Sequence, residues 1–284
     1  MLTILIVEGD FLLKEQIGVS KRSTTRMSLL GGVTLIFLMI SLQALAKGKF
    51  ILHFDHPKKS PYSDIAYVLS KSKDFHRIIE GLNKEFKLPR DITVKFQMSE
   101  GPYYNAATRQ IGMSYQFIEY ISQLYVRFYP KAASKEVIKF TLQSSVFLFY
   151  HELAHALIDV YKLPIVSNEE TAADNLAVIL ALEHTTLGYD IVMNTAELFD
   201  LFDANVKGYK ESDLWDEHIL DSQRFYNIIC LAYGKHPKQV KTELLEVGSD
   251  EMLRFFKKKK EYCRGKYARQ YSAWKKLLLP YKNT

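Results

Sequence analysis

Apolar positions along this chain recur mostly at the period of a helix, and only in a short middle stretch at the period of a strand. Tyr62 to Phe86 has Ile65, Val68, Leu69, Phe75, Ile78, Ile79 and Leu82 on helical spacing, with room for one break at Lys71-Ser72-Lys73 or Gly81. The lead-in, residues 47 to 61, reads as extended, punctuated by Pro57 and Pro61. Ile92, Val94, Phe96 and Met98 then alternate with polar residues, which predicts a half-buried strand. A second strand is expected around Arg109 to Tyr115, after the Gly101-Pro102 turn, and a helix over Phe117 to Phe128.

The longest uninterrupted pattern runs from about Lys135 to Lys162, without Pro or Gly, behind a Ser134 cap. Further helices follow: a very apolar one through Leu176 to Leu182, then Asp190 to Asn205, Leu214 to Tyr233 ending at Gly234, and a basic helix or helix pair from Ser249 onward. The expected fold class is α+β and predominantly helical, with a small sheet beside the long helix.

That long helix carries His151-Glu152-Leu153-Ala154-His155 among uncharged neighbours. Residues four apart share a helix face, so both imidazoles point one way and Glu152 reaches a water beside them. Two histidines at this spacing suit one zinc ion, with the intervening glutamate as general base. The bland reading is a pair of histidines bonded to backbone carbonyls. What separates the two is a third donor, and Glu170-Thr171-Ala172-Ala173-Asp174 offers one. Ser167-x-x-Glu170 also fits a capping box, but capping does not explain Asp174, which lies beyond the first turn of an apolar helix. Glu169 is less favoured as a ligand, since Asp174 is off its face, and Glu183 is a distant alternative.

Together these pieces resemble the gluzincin-type zinc metallopeptidases. The resemblance implies a zincin-like fold in which Glu170 is the third metal ligand and Asp174 bonds the other ring nitrogen of a ligand histidine. The chain is also similar to a bacterial family classed as metallopeptidases from its motifs and known mainly as a domain of unknown function. That similarity rests on the His-Glu-Leu-x-His-Ala helix, the Glu169-Glu170-x-Ala-Ala-Asp174 segment, Asp216-Glu217-His218, Gln223-Arg224-Phe225-Tyr226-Asn227 and Cys230. A metallopeptidase also needs a donor for the oxyanion. His218 is the first candidate and Arg224 the second, against the plainer readings that Arg224 pairs with a carboxylate and His218 sits at the surface. His184 and His236 read as surface or helix-end residues, and no spacing groups His53, His56 and His76.

Tyr103 to Ser114 is the candidate edge along which an extended peptide substrate would lie, or else an ordinary hairpin partner.

Composition changes this picture in three places. The chain has 284 residues and a net charge of +6, yet from Glu251 onward 11 Lys and Arg stand against 2 acidic residues. No nucleic-acid motif accompanies that run, so nucleic acid is not expected. The run reads as a solvated helix face, or as a patch for an anionic cell envelope. Second, Lys21, Arg22 and Arg26 precede an uncharged stretch from Ser28 to Ala46 that closes Ala44-Leu45-Ala46, the anatomy of a secretory signal peptide cleaved after Ala46. Residues 1–46 are then an upstream extension plus leader, with Met27 as the working start instead of Met1, and 47–284 a single metallopeptidase domain. An uncleaved anchor is the alternative. Third, the 2 cysteines, Cys230 and Cys263, both follow that leader and would pair in an oxidising compartment, the alternative being two buried thiols.

The expectation is an exported peptidase, periplasmic or secreted, holding one zinc ion on His151, His155 and Glu170, with Glu152 as base and peptides as substrate. A zinc-containing interaction domain without turnover is the alternative.

Overall fold

The structure, a computed structural model, describes residues 48–283 except 59, 167, 217, 248 and 249. The expected leader and both candidate starts lie outside the described residues, as do Ser167 and Glu217 of the motifs above. Among the described residues no helix is long and apolar enough to cross a membrane.

The lead-in is a strand, not merely extended chain. β1 (Phe50–Phe54) is followed by α1 (Ser63–Lys71) and α2 (Lys73–Glu85), which are split at Ser72, and then by β2 (Ile92–Gln97). Ser72 is extended and its hydroxyl caps α2 by accepting from Asp74 N, which is why the predicted single helix breaks there. β1 runs parallel to β2, so β1, the two helices and β2 form one crossover unit. On β2 the alternation expected from sequence holds, with Ile92, Val94 and Phe96 buried.

β3 (Tyr103–Asn105) and β4 (Gln110–Ser114) complete a sheet of order β1-β2-β4-β3. β4 pairs parallel to β2 and antiparallel to β3. The segment proposed as a sheet edge therefore divides: β4 is interior, and the edge is the three-residue β3.

Helices make up the rest: α3 (Tyr115–Phe128), α4 (Ser134–Tyr161), α5 (Glu169–His184), α6 (Gly188–Asn205), the single turn α7 (Glu211–Leu214), α8 (Asp221–Lys235), α9 (Pro237–Val247) and α10 (Asp250–Leu278). The predicted helix over Leu214 to Tyr233 is broken between Leu214 and Asp221, and that break carries His218. Ser134 is the first helical residue of α4 and not its cap; Ala133 holds that place, its N–H bonded to Glu136 Oε2 at 3.0 Å.

α4 is the axis of the molecule, packed against α3, α5, α6 and the β3–β4 end of the sheet. Every residue from Gln143 to His151 on it is buried, too wide a stretch for an amphipathic surface helix. Edge-to-face aromatic contacts join it to the sheet: Phe96 of β2 to Phe75 of α2 at 4.7 Å, and Phe75 to Phe149 of α4 at 5.9 Å. α4 ends at Lys162 in the left-handed region (φ 51°), with Leu163 N bonded back to Ile158 O.

α8 and α10 approach closely. Gly234 lies inside α8 and does not end it; a Cβ there would stand 2.6 Å from Cys263 O of α10. The Cys230–Cys263 disulfide joins the same two helices. Replacing both cysteines with serine removes a cross-link across 33 positions of chain. The chain-entropy model then gives a loss of about 3–4 kcal/mol of unfolding free energy. Urea denaturation of the double variant checks this, and a midpoint equal to wild type contradicts it.

Candidate metal centre

The site forms where α4 meets the first turn of α5. His151 and His155, one helical turn apart, project toward α5, whose N-cap is Asn168: its side chain accepts from Thr171 N at 2.8 Å. Asn168 takes the capping role, and Glu170 faces the histidines.

His151 Nε2 and His155 Nε2 are 3.2 Å apart, His151 Nε2 is 3.1 Å from Glu170 Oε2, and His155 Nε2 is 3.3 Å from Glu170 Oε1. Among the described residues these three form the group able to hold a metal ion. Bonds of about 2.0–2.1 Å in a tetrahedron put neighbouring ligand atoms about 3.3–3.4 Å apart, so the observed triangle has the size of one tetrahedral face.

The ring nitrogens behind that face say which atoms carry lone pairs. His151 Nδ1 is 2.9 Å from Asp174 Oδ1, and His155 Nδ1 is 2.8 Å from Glu169 Oε1. A carboxylate accepts the Nδ1–H in each case and leaves Nε2 as the unprotonated atom of the neutral ring. Two such lone pairs and a carboxylate then converge on one point, an arrangement that calls for a cation at its centre. The donor set fits a metal.

Without a metal the same carboxylates favour the protonated rings, so a metal would bind here by displacing protons. Burial would lower the His155 pKa, but bonds to Glu170 and Glu169 outweigh it and hold the ring up at about 9. His151 is raised too: burial opposes, and the bonds to Asp174 and Glu170 prevail. Glu170 is held far below the usual carboxylate range, since its three histidine partners outweigh its burial. Glu152 lies beside the triangle in the same cleft, its pKa raised, chiefly by burial.

Asp174 is 1% exposed and shared between two helices. Arg224 of α8 donates to it twice, Nη2 to Oδ1 at 2.7 Å and Nε to Oδ2 at 2.9 Å. Burial pushes Asp174 up, but Arg224 and His151 more than offset it and hold it at about 2. The guanidinium also lies 4.0 Å from the Phe199 ring centre. Arg224 therefore sits behind His151 and faces Asp174, the plainer of its two sequence readings. Removing one member of such a buried pair costs about 3–5 kcal/mol.

His218 stands on the opposite side, with an open flank. Its Nε2 is 3.1 Å from Glu170 Oε2, and its Nδ1 is 3.1 Å from Asp216 Oδ1. Glu170 raises its pKa most, to about 9, against burial and with help from Asp216.

A cleft of about 990 Å³ opens over the triangle. Pro102, Tyr103, Tyr104 and Ala106 of the β3 segment line one wall, and Glu152, Ile158 and Asp159 of α4 another. Tyr104 OH donates to Asp159 Oδ2 at 2.8 Å, which ties the edge strand to the metal helix one turn beyond His155.

Sequence reasoning missed two members. Glu169 lies outside the ligand triangle, as expected, but sequence alone did not show that consecutive acids at a helix start diverge enough for it to hold the other nitrogen of His155. Asp216 had a local signal, an Asp-x-His spacing in which Asp216 Oδ1 also accepts His218 N at 2.8 Å.

Metal must displace protons here, so affinity should rise with pH up to about 9. The metal-free chain has the opposite slope. A raised folded-state His155 pKa gives stability that is fully present below the ordinary 6.5 and lost as pH rises through about 9. Thermal melts of loaded and chelated protein across that range check both slopes. Asp174→Asn should weaken metal binding about 10- to 100-fold in a chelator competition, and unchanged affinity would refute the tautomer argument.

Among known families, the chain matches the model of DUF4344, "Putative metallopeptidase", over residues 54–278. No curated protein and no solved structure matches it.

Proposed function

The chain belongs to this "Putative metallopeptidase" family, and we propose that it is an exported zinc-dependent peptidase with Glu152 as its general base. The observation that carries the reading is the triangle of three lone-pair donors with a fourth, acidic group alongside, open to a cleft with a strand edge on its wall.

His151, His155 and Glu170 would hold the ion, and a His-His-carboxylate set is that of catalytic zinc. Structural zinc sites close with four protein ligands, so the three-donor set found among the described residues favours the catalytic reading over an interaction domain without turnover. When bound, zinc would acidify a water and polarise the scissile carbonyl. Glu152 would take a proton from a water as its oxygen adds to the peptide carbonyl carbon, and give that proton to the amine nitrogen as the C–N bond breaks. Burial raises the Glu152 pKa above that of a surface glutamate, which strengthens it as a base.

Asp174 and Glu169 hold the two imidazoles in the tautomer that presents Nε2. Arg224 acts through Asp174 and is a positioning residue. His218, oriented by Asp216, donates from Nε2 to the carbonyl oxygen as charge gathers there. An extended peptide would add to the outer side of β3, beside Tyr103 and Tyr104.

Export is supported by the leader pattern ahead of residue 47 and by a disulfide, a bond that persists in oxidising compartments.

Glu152→Gln should keep one equivalent of metal and lower peptide turnover about 100- to 10,000-fold. Metal content and cleavage of a casein-type substrate are measured on the same sample. Wild-type cleavage by the variant removes Glu152 from the mechanism, and metal-loaded wild type that cleaves nothing favours the domain without turnover. His218→Ala should lower kcat with metal content unchanged.

A further inference from the structure

A second cavity, of about 480 Å³, lies between α8 and α10 and shares no lining residue with the cleft. Gln223, Tyr226 and Asn227 form its α8 wall, and Tyr262 and Lys266 much of its α10 wall. Among the described residues no acid lines it, and Lys266 is the one charged side chain that does.

The Lys266 ammonium donates to Asn227 Oδ1, a neutral amide oxygen. Asn227 is itself fixed, since its Nδ2 donates to Asn175 Oδ1 at 3.0 Å and so turns its oxygen toward the lysine. Burial, and then the neighbouring Arg269, lower the Lys266 pKa from its ordinary value. The ammonium has lost part of its hydration, and among the described residues lining the cavity no carboxylate offsets its charge, which leaves it suited to an anion.

Lys259, Tyr262, Lys266 and Arg269 fall at spacings of three, four and three, and so share one face of α10. Lys259 Nζ lies 5.5 Å from the Tyr262 ring centre, which places a second cation at the rim of the cavity. Among described side chains of α10 the one acid is Glu261, and it is bonded to Arg264. Several cations on one face, with tyrosine and amide groups between them, suit an anion that accepts from several directions. Phosphate does this, and lysine serves it as a point charge.

We propose that this cavity is a phosphate-binding site with Lys266 as its anchoring cation. The phosphate is that of a free ester or of a lipid headgroup at a membrane surface. The site stands independently of the peptidase reading, and its test needs no turnover.

The full chain is titrated calorimetrically with inorganic phosphate, and separately sedimented with phosphatidylcholine vesicles with and without phosphatidylglycerol. Lys266→Gln keeps an N–H for Asn227 and loses the charge; Lys275→Gln makes the same charge change on an exposed residue that does not line the cavity. Lys266→Gln should weaken binding about 10- to 100-fold, and Lys275→Gln less than about threefold.

Lys266-dependent binding of inorganic phosphate supports a free ester; Lys266-dependent binding of the anionic vesicles alone supports a headgroup. Equal weakening by the two variants, or no binding of either probe by wild type, overturns the site. A second measurement needs no variant. Phosphate should protect Lys266 more than Lys275 from a limiting amine-acylating reagent, read by peptide mass spectrometry, and equal protection also overturns it.

Discussion

Asp174 is an ionised carboxylate placed where almost no water reaches it, and the arrangement of three helices follows from satisfying it. Left alone, a charge in that position would take up a proton. It stays ionised because Arg224 meets it with two hydrogen bonds from α8 and His151 meets it with one from α4. The apolar run Leu176 to Leu182 supplies the burial that makes both partners necessary, by drawing α5 into the core. Arg224 is covered in turn by the Phe199 ring of α6. A helix from each of four chain segments is thereby committed to one charged cluster.

The geometry in front of His151 depends on this support behind it. With its Nδ1–H held by Asp174, the ring cannot turn, and Nε2 faces Nε2 of His155 across 3.2 Å. Glu169 does the same for His155 from a more exposed position. Both glutamates lie in the first turn of α5, where unsatisfied N–H groups and the helix dipole favour negative charge. The cap itself falls to Asn168, which releases Glu169 and Glu170 to the two imidazoles. Among the described residues nothing comparable closes the far side of the triangle, where His218 stands half-exposed and the cleft begins.

Much of this was legible in the sequence where the signal was local. The i, i+4 spacing of His151 and His155, and of Glu170 and Asp174, defines a face as soon as each stretch is helical. The alternation on β2 is likewise a property of neighbouring residues. Errors arose where a residue had two plausible local roles. Ser134 looks as good a cap as any residue before α4 in the bare sequence, and only backbone dihedrals give that place to Ala133. Gly234 resembles a helix end, yet its lack of a side chain serves the close approach of α8 to α10. Tyr103 to Ser114 reads equally as an edge or as a hairpin partner, and the structure holds both, β3 at the edge and β4 inside, because strand order depends on partners distant in sequence. Arg224 was weighed as an oxyanion donor, although its guanidinium turns away from the cleft, toward Asp174.

By itself the sequence determined that the chain is mainly helical, that one long buried helix bears two histidines and a glutamate, and that a second helix opens with acids at matching spacing. Those are consequences of periodicity and of burial, which act over a few residues. Only the tertiary structure decided which acid faces which nitrogen, that Arg224 serves Asp174, that β3 forms the edge beside the cleft, and that Lys266 lines a cavity between α8 and α10. Each of these depends on the angle and distance between helices far apart in the chain. Those are set by how large apolar side chains pack, and no local pattern records it.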